Sequence, residues 1–139
     1  MITSRQHAPA EFISALKDQL VHQLQTRPEI RFALLYGSAS EGYPYRDLDV
    51  GIYVDRSLIP ARQDIDYMFD LAEQLTHTLA CPIDVRVIND APLSFRYNVS
   101  RGQALMVNDA ESLARFRETT WDAYFDFQPI ALQYLKDMR

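Results

Sequence analysis

Cysteine is nearly missing from this sequence: Cys81 stands alone among 139 residues, so an internal disulfide is excluded and a reducing compartment, the cytoplasm, is the expected setting. Glycine is scarce too, at 4 residues, with no low-complexity tract, which argues against a disordered chain. No apolar run approaches the roughly 20 residues that cross a bilayer, and the first residues, Met1 to His7, carry no apolar signal core. No membrane partner is expected. Histidine occurs three times, at His7, His22 and His77, dispersed and without ligand spacing, so a zinc centre is not expected. Lysine supplies 2 of the 14 basic residues and glutamate 6 of the 19 acidic ones; arginine and aspartate supply the rest. Arg is the planar fork that suits phosphate, and Asp is a short-armed ligand for hard cations. The net charge of −5 disfavours direct, sequence-independent binding to nucleic acid.

What is present suits one domain over residues 1–139, with a helical tail from about residue 109. Residues 11–24 place Phe12, Leu16, Leu20 and Leu24 at spacings of four, flanked by Ile13 and Val21, which predicts an amphipathic helix ended by Pro28. Residues 30–36 are a short apolar strand stopping at Gly37-Ser38. After a loop over 39–46, residues 47–54 alternate strictly: Leu48, Val50, Ile52 and Val54 share one face, Asp47 and Asp49 the other. A helix is predicted over 64–79, and a third strand over 83–88 with Asp84 and Arg86 on its polar face. A short helix over 92–101 and a strand over 103–107 follow. A final helix has Asn108 as N-cap, Leu113, Phe116, Thr120 and Tyr124 on one face, and a break near Pro129. The expected class is α/β (α+β), a small mixed sheet flanked by helices. Cys81 reads as a small buried residue, and Trp121, Tyr124, Phe125 and Phe127 as core or dimer-face aromatics, with a partner surface as the alternative.

Three features converge on one site. Gly37-Ser38 ends a strand, where a residue without Cβ lets backbone N–H groups approach a phosphate and a hydroxyl adds a donor; Gly-Ser is also an ordinary turn dipeptide. Asp47 and Asp49 share a strand face with Cα atoms about 6.6–6.8 Å apart, and like charges so placed ask for a cation between them. Asp84 lies on the polar face of another strand, and a sheet pairing the two would bring a third carboxylate alongside. Mg²⁺ takes a few carboxylate oxygens and completes its shell with waters and substrate phosphate oxygens. In phosphoryl-transfer sites two such ions stand roughly 3.5–4 Å apart.

These residues amount to a resemblance. The stretch 35–42 with its Gly37-Ser38, then 46–54 with Asp47-Leu48-Asp49, then Ile83-Asp84-Val85, is similar to the polymerase-beta-type nucleotidyltransferase superfamily. The continuation through 87–106 and the aromatic segment 124–129 resemble its minimal members, the MntA-like antitoxins of HEPT/MNT (type VII) toxin–antitoxin systems. The resemblance implies that Gly37 and Ser38 hold the triphosphate of ATP, and that Asp47, Asp49 and Asp84 ligate Mg²⁺, as two ions, and act catalytically. Asp84 would also assist deprotonation of the acceptor hydroxyl. It further implies transfer of AMP to a tyrosine of a partner HEPT ribonuclease toxin, which the protein thereby silences as an antitoxin. Assembly with itself or with the toxin is left open. In one respect the chain departs from the family: 39–46 is two residues shorter than the usual spacing. Restoring the family's count would make Asp49 the first ligand and Gly51 the second, deleting a carboxylate, so strand phase favours Asp47 and Asp49. Two other readings stand beside this one, an antitoxin that binds and occludes without catalysis, and adenylylation of a small molecule. Arg46 and Arg86 either steady phosphate oxygens or neutralise the acidic face.

Overall fold

The computed structural model describes residues 10–37 and 48–138, with side chains from Ser14 in the first stretch. Among these, the chain runs α1 (Ala10–Leu24), β1 (Ile30–Tyr36), β2 (Leu48–Val54), a 3-10 turn (Ala61–Gln63), α2 (Asp64–Leu79), β3 (Ile83–Val87), α3 (Leu93–Ser100), β4 (Gln103–Val107) and α4 (Ala110–Asp137). The four strands form one mixed sheet in the order β3-β2-β1-β4. β1 is antiparallel to β2 and β4, and β2 is parallel to β3. This is the α+β arrangement the alternation predicts.

Central position explains why β1 is apolar from Phe32 to Tyr36 instead of alternating, since a strand covered on both faces has no polar side; Arg31, near its start, is only part-buried. Ala33 and Leu35 point to the face packed by α1 and α2, with Leu48, Val50 and Ile52 of β2. Phe32, Leu34 and Tyr36 point to the opposite face, under α3 and α4, with Val99, Leu113 and Phe116. Phe32 is fully buried there, stacked on Tyr53 at 5.1 Å and tilted against Phe116 at 5.5 Å between ring centroids. Leu16, Leu20 and Leu24 of α1 are buried as their spacing predicts; Phe12 and Ile13 lie outside the described side chains. The outer edge of β3 is covered by α2, whose Thr76 hydroxyl accepts from the Ile83 N–H at 3.0 Å and whose Met68 sulfur accepts from the Val87 N–H at 3.1 Å. Past the strand, the Asn89 side chain mimics one more rung: its Oδ1 accepts from Val54 N–H and its Nδ2 donates to Val54 O, each at 2.9 Å.

Two expectations for the last helix fail. The N-cap is Asp109, not Asn108: Asp109 accepts from the Ser112 backbone N–H at 3.2 Å, while the Asn108 amide donates to the carbonyls of Arg27 and Ile30. Nor does the helix break at Pro129; α4 continues to Asp137 through 28 residues, about 42 Å at 1.5 Å per residue. Pro129 lies on the polar strip of α4 with Asp122 and Gln133, so the Phe125 carbonyl deprived of its donor is left to solvent and not to an apolar contact.

The Asp109 cap is tied to the sheet through Arg31, which donates to Asp109 Oδ2 at 2.8 Å and lies 3.6 Å from Asp55. Hydrogen bonds from Ser112 and then the Arg31 charge hold the Asp109 carboxyl below its ordinary value of 3.8, and bonds from Ser57, then Arg31, do the same for Asp55. A carboxyl depressed by folding contributes stability that is full above its unfolded value and is lost as the pH falls through its folded one. The melting temperature is therefore expected to hold down to about pH 4 and fall below it. In Asp109→Asn, which keeps a capping oxygen but drops the charge, the acid fall should be shallower; a pH series of thermal melts reads this directly.

Thr120 is completely buried in α4, and its hydroxyl has no hydrogen-bond partner among the described residues. An unsatisfied buried hydroxyl costs about 1–3 kcal/mol. Thr120→Val removes that cost at nearly constant volume, and thermal denaturation should show a melting point raised by roughly 3–5 °C for each kcal/mol removed.

Candidate active site

The parallel pairing of β2 with β3 sets Asp49 directly beside Asp84. Register partners on adjacent strands lie about 4.8 Å apart and point to the same face, so the two carboxylates share the face that α3 and α4 partly cover. Asp49 is half-buried, and the Asp84 side chain is 40% exposed. On the other side of β2, Asp49 is paired with Tyr36 at the end of β1, immediately before Gly37. The carboxylates and the glycine turn thus meet at one end of the sheet.

Gly37 has φ of +82°, a left-handed conformation that side chains disfavour, and a Cβ built on it would stand 2.6 Å from Asp49 Oδ2. The carboxylate lies in the space a side chain at 37 would take. Gly51, two residues along β2 on the same face, is closed differently: a Cβ there would come within 2.6 Å of Val99 Cγ1 and 3.2 Å of Ile88 Cγ2. Position 51 lies beneath α3, in the apolar layer, where an ionised ligand has no room and no water. That favours the strand phase ending at Asp49 over the alternative ending at position 51. Nothing in the sequence signals this role of Gly51, because the contact comes from a helix nearly fifty residues away.

The wall of the site is fixed by the α3–β4 corner. A Cβ on Gly102 would run into the carbonyl oxygen of Leu35, so this turn sits directly on β1 two residues before Gly37. Arg117 of α4 donates to the carbonyls of Ser100 and Gly102, each at 3.1 Å, and Trp121 Nε1 donates to Ser100 Oγ at 2.8 Å. These bonds satisfy the C-terminal end of α3 and clamp it. Arg86 donates through Nε to Asp84 Oδ2 at 3.3 Å, and its side chain is 56% exposed. In this structure Arg86 neutralises the acidic face.

Ser38, Asp47, Arg46 and the shortened 39–46 segment lie outside the described residues. Among the described residues no three His, Cys, Asp or Glu side chains gather as a metal cage. Two adjacent carboxylates on a half-covered face nonetheless suit Mg²⁺, which binds through one or two carboxylates and leaves the rest of its shell to water and substrate phosphate. His22 and His77 are exposed on helices and Cys81 is buried, as their positions predict. Of the readings for the aromatic residues, the core one fails for Phe125 and Phe127, which are 56% and 53% exposed; a dimer face or a partner surface is left for them. The open groove lined by Phe69, Glu73 and His77 lies on α2, across the sheet from both carboxylates.

The model of the family described as polymerase beta, nucleotidyltransferase, matches residues 18–111, well over half of the chain and spanning β1 to β4. The chain belongs to this family. No curated protein matches it at the sequence level. Among solved structures, this nucleotidyltransferase shares its fold with a chain of the tri-AMPylated Shewanella oneidensis HEPN toxin in complex with MNT antitoxin, at 17% identity, TM-score 0.68, and 91% of this chain and 98% of that one covered. A structure of the MntA toxin–antitoxin pair bearing two Asp-to-Glu substitutions matches at 18% identity and TM-score 0.71, covering 88% and 97%. A toxin–antitoxin structure with AMP-PNP matches at 19% identity and TM-score 0.69, with the same coverage. No helix among the described residues is long and apolar enough to cross a membrane.

Proposed function

We propose that this nucleotidyltransferase is an antitoxin that transfers AMP from ATP to a tyrosine hydroxyl of a HEPN-type (HEPT) ribonuclease toxin, with Mg²⁺ bound at Asp47, Asp49 and Asp84. The observation that carries this reading is the pairing of Asp49 with Asp84 on one face beside Gly37. Support comes from the solved relatives of this fold, one found with an AMPylated toxin and one with AMP-PNP.

In the reaction the acceptor oxygen bonds to the α-phosphorus of ATP, the bond from that phosphorus to the β-phosphate oxygen breaks, and pyrophosphate leaves. When bound, Mg²⁺ neutralises the charge that grows on the phosphates and the leaving group. The chain's own residues do the rest. The Gly37 turn, with the Ser38 hydroxyl, offers N–H and O–H donors to the triphosphate, a role for which a residue lacking Cβ is suited. Asp84, whose side chain is 40% exposed, takes the proton of the acceptor hydroxyl. Val99 and Ile88 close the apolar side of the site and keep water from competing with the acceptor.

The test is incubation with a co-expressed HEPN-type toxin, Mg²⁺ and ATP labelled at the α-phosphate. Label should appear on the toxin and disappear when its acceptor tyrosine becomes phenylalanine, whereas γ-labelled ATP should leave none. No transfer with any divalent ion would overturn the reading.

A further inference from the structure

The second half of α4 is longer than the domain beneath it needs. Its first half is held: Leu113, Phe116 and Thr120 are buried, and Tyr124 stacks on Tyr97 of α3 with ring centroids 3.7 Å apart. From 126 to 138 only Ala131 is even half-buried. Yet this stretch is not built as a solvated helix. Asp122, Asp126, Pro129, Gln133 and Lys136 recur at spacings of four and three and form one narrow strip, while the remaining circumference is almost wholly apolar. Phe125, Phe127, Ile130, Leu132, Tyr134 and Leu135 are each 53–67% exposed. At roughly 150–250 Å² for a large side chain, these six present on the order of 700 Å², more than the usual ~300–600 Å² patch of a monomer and near the ~800 Å² per partner of a stable interface.

The arm leaves the domain beside the carboxylates. α4 bonds to Ser100 and Gly102 at the α3–β4 corner, that corner sits on Leu35, and Gly37 follows two residues later. The projecting part therefore begins at the end of the sheet that carries Gly37, Asp49 and Asp84.

We propose that residues 125–138 form the docking arm for the acceptor protein itself, a helical protein that receives the arm in an apolar groove with a basic rim; this rests on the transfer reading above. A helix apolar over more than half of its circumference fits a groove between helices better than a single flat contact. Its polar strip, with Asp122, Asp126 and Asp137 against Lys136 alone, complements a basic rim. It would repel the same strip on a second copy laid alongside.

The experiment uses the full chain carrying Phe127→Glu together with Leu135→Glu, and separately Phe127→Leu, with the co-expressed HEPN-type toxin as probe. Both positions are exposed in the free protein, so circular dichroism should be unchanged. The double variant is expected to raise the apparent KM for toxin at least tenfold, leave the KM for ATP unchanged and lose the complex on size exclusion with light scattering; Phe127→Leu should keep it. Complex formation is also read in an Asp84→Asn background, independent of transfer. A complex that forms but is never labelled sinks the transfer reading and leaves the arm standing. A double variant that binds and labels toxin like the wild type overturns the arm and leaves transfer standing. A chain that is dimeric alone and becomes monomeric in the double variant assigns the surface to a second copy and overturns the proposal, and a wild type that binds no toxin overturns both readings.

Discussion

Replacing Asp49 or Asp84 by asparagine is expected to lower the rate of AMP transfer by about 10²–10⁴-fold. A divalent ion supplies several kcal/mol of charge stabilisation in a phosphoryl-transfer transition state, and each 1.36 kcal/mol is a factor of ten. Asparagine preserves shape and one acceptor oxygen but removes the charge proposed to hold the ion. What separates a ligand from a structural acid is the accompanying stability change. Asp84 stands beside Asp49 on the neighbouring strand, and like charges directly opposite one another destabilise a sheet. Its ion pair with Arg86 lies between side chains 56% and 40% exposed, where such pairs contribute little. The melting temperature of Asp84→Asn in metal-free buffer should therefore hold or rise while activity collapses, the signature of a site that accepts instability for function. Asp70→Asn, on the exposed side of α2, serves as the charge control and should keep wild-type activity. Transfer within tenfold of wild type in both Asn variants would remove these two residues from the metal site.

The strand phases were open to reading because each uses the two-residue period that burial imposes. The alternation over 48–54 assigns Asp49 to the face away from Val50 and Ile52, and that over 83–87 does the same for Asp84; parallel pairing then makes them neighbours. Register itself was beyond local sequence, since it depends on which residue of β3 meets which of β2. The same limit hid Gly51, whose constraint is Val99 of α3, and Asn89, whose side chain stands in for a strand across 35 positions. The N-cap slipped by one residue because Asn108 and Asp109 are both good caps, and only the position of Arg31 on β1 decides between them. Pro129 misled for a reason that carries meaning: proline ends a helix where its i−4 carbonyl would be buried unpaired, and here it falls on the solvent strip. Residues 38–47, with Ser38 and Asp47 among them, lie outside the described residues, and their roles rest on the motif alone.

Gly37→Ala is expected to cut transfer by about 10²-fold at subsaturating Mg²⁺ while destabilising the fold by only about 1–2 kcal/mol. The small cost follows from the φ of +82°, since the left-handed region costs a residue with a Cβ roughly 1–2 kcal/mol. The large effect follows from what the methyl group would meet. Its nearest atom is Asp49 Oδ2 at 2.6 Å, with Asp49 Cγ next at 3.6 Å. A carboxylate tip can rotate away where backbone cannot, so the fold survives and the displaced group is the carboxylate proposed as a ligand. Misplacing a catalytic group by about 1 Å costs on the order of 10²-fold. Because the defect lies in the geometry of a ligand and not in its charge, excess metal should restore part of the lost rate in Gly37→Ala and none in Asp49→Asn. A Mg²⁺ titration of both variants, at saturating ATP and toxin, reads this as a raised half-saturation in the first and a flat line in the second. If the glycine serves only the turn, the Ala variant instead loses rate in proportion to its unfolded fraction and its Mg²⁺ half-saturation does not move.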